Sequence, residues 1–82
     1  MKTVFIVLFV TESDNIGLRI EVKGVYSEEA DALARQEELR RETAESEDWK
    51  NANFSVNKED SEWYASDESG TAACSIYKET VK

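Results

Sequence analysis

Histidine is absent from this chain, and cysteine occurs once, as Cys74. Without imidazole and with a single thiol, the usual zinc, copper and iron ligand sets cannot be assembled within one copy. The same gap removes the commonest general base near neutral pH. A lone cysteine also excludes an internal disulfide. Secreted domains this small usually carry several, so a reducing, cytoplasmic setting is expected. Proline is missing too, and with it any sign of a rigid linker. The three glycines, Gly17, Gly24 and Gly70, form no phosphate-cradling loop; each has a turn or a bulge to serve. The 82 residues make one domain, 1–82, with a small core. A chain of this length buries only about 60–65% of its unfolded surface.

Positive charge is scarce as well. Ten lysines and arginines face eighteen acids, a net charge of −8. The imbalance is local: residues 1–26 hold three acids and three bases, whereas Ser27–Trp49 holds nine acids and three bases. Such a field repels nucleic acid and anionic membrane and attracts basic protein surfaces. Direct DNA or RNA binding is excluded as the expected mode, because it needs clustered Lys and Arg.

The chain has one long apolar run, VFIVLFV (Val4–Val10). Lys2 and this run imitate a signal peptide, but the run is short and Thr11-Glu12-Ser13 is a poor cleavage site. It is also far too short for a membrane-spanning helix. Seven consecutive β-branched, aromatic or leucine residues read instead as a central strand covered on both faces. Turn chemistry follows in Thr11–Gly17. LRIEVK (Leu18–Lys23) then alternates, with Leu18, Ile20 and Val22 on the side expected to be buried. Gly24 interrupts the alternation, which predicts a bulge.

Ser27 is the expected N-cap of a helix running to about Glu45, with Glu28, Glu29 and Asp31 at its positive end. Ala32, Leu33, Gln36, Leu39, Thr43 and Ala44 share one arc, and Asp31, Glu38, Glu42 and Glu45 the opposite one, together with Arg35. Three further strands are predicted, at Ala52–Val56, Glu62–Ser66 and Thr71–Val81, separated by turns at Asn57–Ser61 and Asp67–Gly70. The order is ββαβββ: an α+β fold with a single antiparallel sheet of about five strands and one helix on one face. The first strand is apolar on both sides, so its second face needs a cover. The last hairpin curling over, a second copy, or a partner could supply it.

No spacing matches a catalytic constellation, so no enzymatic activity and no cofactor are expected. The carboxylates sit in turns and on a solvated helix face, where nothing separates two of them into acid and base. Cys74 has no histidine to activate it and reads as a small buried strand residue. NKEDSE (Asn57–Glu62) begins like a calcium loop but has Glu62 where the glycine belongs and Ser69 where the last acid belongs, so no metal is expected. Asn53-Phe54-Ser55 spells a glycosylation sequon that a cytosolic chain does not use. Trp63 and Tyr64 are adjacent in a strand and must point to opposite faces. Core packing competes with an aromatic anchor ringed by Glu59, Asp60, Glu62, Asp67 and Glu68. Trp49 either closes the helix end or joins that patch.

VFIVL followed by GVYSEEADALARQEELRRE (Gly24–Glu42) resembles a strand–strand–capped-helix pattern of many small uncharacterised bacterial and phage proteins, over about the first half of the chain. In overall character the acidic, histidine-free chain is similar to small phage inhibitors of host defence, of the anti-CRISPR and anti-restriction type. That resemblance implies a non-catalytic inhibitor acting in the cytoplasm of a host cell. The residues expected to dock it on a basic, nucleic-acid-handling host protein are Asp31, Glu38, Glu42 and Glu45, then Glu59, Asp60 and Glu62, with Trp63 or Tyr64 as anchor. The alternative expectation is a structural subunit or homodimer that uses the apolar sheet face as its interface, the acids serving only solubility.

Overall fold

A computed structural model describes residues 2–14, 17–47, 49–59, 61–68 and 70–81. Strands β1 (Lys2–Ser13) and β2 (Gly17–Tyr26) precede one helix, α1 (Glu29–Glu45), and strands β3 (Asn53–Asn57), β4 (Glu62–Ser66) and β5 (Gly70–Val81) follow it. All five strands join one antiparallel sheet in the order β2-β1-β5-β4-β3. The expected α+β architecture and its ββαβββ order are therefore present.

Antiparallel pairing places directly opposed residues on the same side of a sheet, so the register divides the side chains into two sets. One, the inner set, contains Phe5, Val7 and Phe9 of β1, Ala72, Cys74 and Ile76 of β5, Trp63 and Ala65 of β4, and Phe54 of β3. The other, the outer set, contains Val4, Ile6, Leu8 and Val10 with their neighbours Leu18, Ile20, Val22 and Val25 in β2, and Ala73, Ser75 and Tyr77 in β5. Every buried strand residue of the core is inner: Val7, Trp63, Ala65, Ala72 and Cys74 pack with Ala32 and Leu39 of α1.

Gln36 ties the helix to this layer. Its side-chain nitrogen donates to the Ser61 and Cys74 carbonyl oxygens at 2.7 and 2.9 Å, while the Trp63 indole N–H donates to the Gln36 carbonyl at 3.0 Å. A polar side chain survives burial here because both of its donors have acceptors. Phe9 and Phe54 each approach the Trp63 ring at 5.7 Å between centroids, the first edge-on, a geometry in which ring edges meet negative ring faces. Trp49 also packs against the core, closing the helix end.

The sequence expectations need four local corrections. Glu28, not Ser27, holds the N-cap position, in extended conformation and with no side-chain cap; the longer carboxylate replaces the short oxygen that favours this position. Leu33 was expected in the buried arc but remains 40% exposed, because it borders an open groove shared with Val56 of β3 rather than a packed layer. The last hairpin does not curl over β1. It lies beside β1 in the sheet, with β5 paired to β1 along Lys2–Ser13. Finally, Leu18, Ile20 and Val22 are not buried. Each is 61% exposed, because pairing sets Ile20 beside Val10 and Val22 beside Leu8 on the outer side.

The predicted bulge is present and has a consequence. The register slips between Val7 and Leu8, leaving Lys23 as the extra residue of β2. Without the slip, strict alternation would send Val25 inward, opposite to Val22. With it, Val25 stands beside Ile6 and joins Leu18, Ile20 and Val22 on the outer side. Gly24 permits this because the Tyr26 ring folds across it, and a Cβ there would lie 2.6 Å from that ring.

Candidate functional site

The residues expected to form one docking surface are divided by the sheet. On α1, Asp31 and Glu45 are exposed, and Glu38 and Glu42 share the Arg35 guanidinium, the second at 3.2 Å. Glu37 is held by Arg40 at 2.6 Å and by Arg41 at 3.6 Å. Its carboxyl is held below the usual carboxylate range, chiefly by the Arg40 hydrogen bond, and the same bond raises Arg40. The three helix arginines thus interleave with the acids. What sequence counting reads as a stripe is a row of ion pairs with uncompensated charge at its two ends. Surface pairs of this kind contribute little individually, about 0–1 kcal/mol, but they lower the field that a partner would meet.

Glu59 is exposed in the β3–β4 turn, while Asp60 lies outside the described residues. Glu62 is half-buried in the outer set and accepts a hydrogen bond from the Ser75 hydroxyl at 3.0 Å. Trp63 is 2% exposed. It cannot serve as a surface anchor, because alternation sends it inward against Phe9 and Phe54. Tyr64, its neighbour, points outward beside Ala73 and remains exposed. Tyr64 therefore belongs to the outer set, whereas Ala32 and Leu39 of α1 pack with the inner one.

The alternative expectation named an apolar face of the sheet, but the sequence had put Leu18, Ile20 and Val22 on the buried side, and the structure leaves them exposed. Leu18, Ile20, Val22, Val25, Tyr64, Tyr77 and Val81 are all large, apolar or aromatic, and left 42–61% exposed, and all belong to the outer set. Between them lie the half-buried Val4, Ile6, Leu8 and Val10 of β1. The three long strands are about 4.8 Å apart and over 30 Å long, which gives a face of roughly 500 Å² in projection, its polar members included. Monomers rarely expose a contiguous patch much beyond that size. Of the charged members of the outer set, Lys2, Glu12 and Glu62 stand at its margins, while Glu79 lies beside Val4 between Tyr77 and Val81. The signal for this surface was in the sequence: an apolar run with no polar alternation, next to a strand whose apolar side needed a cover.

A smaller groove of about 390 Å³ lies between α1 and the β3–β4 hairpin, lined by Leu33, Val56, Trp63 and the Glu37–Arg40 pair among others. Cys74 is fully buried, and loss of hydration pushes its thiol up to about 11. It is an inert packing residue rather than a nucleophile at neutral pH. Among the described residues no helix is long and apolar enough to cross a membrane. No protein-family model, no curated protein and no solved structure matches the chain.

Proposed function

We propose that the protein is a non-catalytic interaction module in which α1 covers one face of the sheet and the other face is a protein–protein interface. The exposure of Leu18, Ile20 and Val22, at 61% each beside Leu8 and Val10 of β1, is the observation that carries this reading. A face rich in aromatic and aliphatic side chains with a polar rim has the composition of an interface centre. The bulge at Lys23 supports the same reading, since it adds Val25 to the outer side at the expense of a regular ladder. A photo-reactive residue introduced at position 20 tests it in the cell that makes the protein. Protein adducts are expected from position 20, and their absence overturns the reading.

Docking of the acidic helix on a basic, nucleic-acid-handling protein, in the manner of a phage inhibitor of host defence, is the second reading. One observation favours it: Asp31, Glu45 and Glu59 are exposed, and among the described residues no ion pair engages them. This mode expects adducts from position 31 rather than 20, and binding that weakens steeply as salt rises.

A further inference from the structure

Resting on the interface reading above, we infer that the occupant of the outer face is a second copy of this chain, packed face to face. The relief of the face is self-complementary. Along β2, Leu18, Ile20 and Val22 form a ridge. Along β5, in the same cross-strand rows, stand the small residues Thr71, Ala73 and Ser75. Leu18 is level with Thr71 through Glu12, Ile20 with Ala73 through Val10, and Val22 with Ser75 through Leu8. Ridge and trough lie on either side of β1, about 10 Å apart.

A two-fold axis running along β1 exchanges them. It sets the ridge of each copy into the trough of the other, Ile20 against the partner's Ala73 and Val22 against the partner's Ser75. In a symmetric pair each such contact is made twice. Two sheets stacked this way follow the aligned packing of β-sandwiches, about 10 Å apart. Tyr77 comes to face the partner's Val25, and Ile6, Leu8 and Val10 meet their own counterparts at the centre.

The polar groups agree with this burial. The Ser75 hydroxyl at the floor of the trough is already bonded to Glu62 within its own chain, so covering it strands no donor. Glu62 and Glu79 fall outside the overlap of the two copies, and Glu12 lies at its end. The area is sufficient. Two faces of roughly 500 Å² in projection bury on the order of 1,000–1,200 Å² together, the low end of what a specific interface needs. The pair therefore forms by apolar burial against the mutual repulsion of two chains of net charge −8. Its salt response is opposite in sign to that of an acidic chain on a basic partner.

Sedimentation equilibrium of the intact chain tests this, at 50 and 500 mM salt. A dimer that tightens several-fold at the higher salt is expected. Ile20→Asp should weaken it at least 100-fold, and Ala73→Leu, which fills the trough, at least 10-fold. Circular dichroism of each variant checks that the monomer is folded. Exchanging ridge and trough within one chain, Ile20→Ala with Ala73→Leu, should restore most of the loss, which general misfolding could not do. A monomer at all concentrations and both salts overturns the self-pairing. So does a dimer indifferent to Ala73→Leu, which would be joined through the β2 edge instead. Adduct masses from position 20 separate the two levels: twice the chain mass supports the pair, and any other mass overturns the pair but keeps the interface. No adduct overturns both.

Discussion

Gln36 is a core position although its side chain is polar. It is 8% exposed and donates two neutral hydrogen bonds to backbone carbonyls from strand β5 and from the turn before β4. Gln36→Leu keeps the approximate volume and the helical propensity while removing both donors. Each neutral bond contributes about 1 kcal/mol net. The Ser61 carbonyl keeps the Ile76 N–H at 3.3 Å, so it is not left wholly unpaired. The expected loss is therefore about 2 kcal/mol, to which the Cys74 carbonyl adds if water cannot reach it. For a domain of this size that lowers the melting midpoint by roughly 8–16 °C. Urea unfolding followed by far-UV circular dichroism measures it, with an unchanged m-value as the sign of two-state behaviour. Trp63→Phe is the control: it removes one donor to the Gln36 carbonyl and should cost about 1–2 kcal/mol. A Gln36→Leu midpoint within 0.5 kcal/mol of wild type, about the scatter of neutral surface substitutions, would refute the role given to these bonds.

Three further outcomes follow from the same coordinates. Gly70→Ala would drive a methyl into the Glu12 carbonyl, because β5 begins in close contact with the end of β1; a loss of about 1–3 kcal/mol is expected by thermal unfolding. The Glu37 carboxyl should titrate below its ordinary 4.5 by NMR and return towards it in Arg40→Gln. Its pairing supports the fold above that range and is lost as the pH falls through the lowered value, the direction required when the folded state favours the charged form. Cys74 should resist thiol reagents at pH 8 and react fully in urea. Because burial raises its pKa from 9.0 to about 11, its contribution to stability is complete below 9.0 and declines across that window as the pH rises. Rapid labelling of native Cys74 would contradict its burial.

The elements themselves were legible because each is written in local chemistry. Val4–Val10 reads as a strand from its β-branched and aromatic residues, Asp67 and Asn57 close turns with their own side chains, and Gly24 marks the bulge. The Asp67 carboxylate accepts the Gly70 N–H at 3.0 Å, and the Asn57 amide oxygen accepts the Glu59 N–H at 3.1 Å. The docking surface was not legible in the same way. Acid counts along Ser27–Trp49 take no account of Arg35 reaching both Glu38 and Glu42. Side-by-side residues such as Trp63 and Tyr64 say that two faces exist without saying which is covered.

Sequence alone determined the number and order of strands, the helix, the excess of negative charge and the need for something to cover β1. These follow from alternation, propensity and composition, which act over a few residues. Tertiary structure decided the rest through register. Pairing β5 rather than β4 with β1 placed the last hairpin in the sheet instead of over it. Pairing Ile20 with Val10 and Val22 with Leu8 then placed the apolar side of β2 in the outer set, and the slip at Lys23 added Val25 to it. A one-residue shift moves every side chain of a strand to the other face, so which apolar set is core and which is left exposed is set by strand pairing and not by the strand's own sequence.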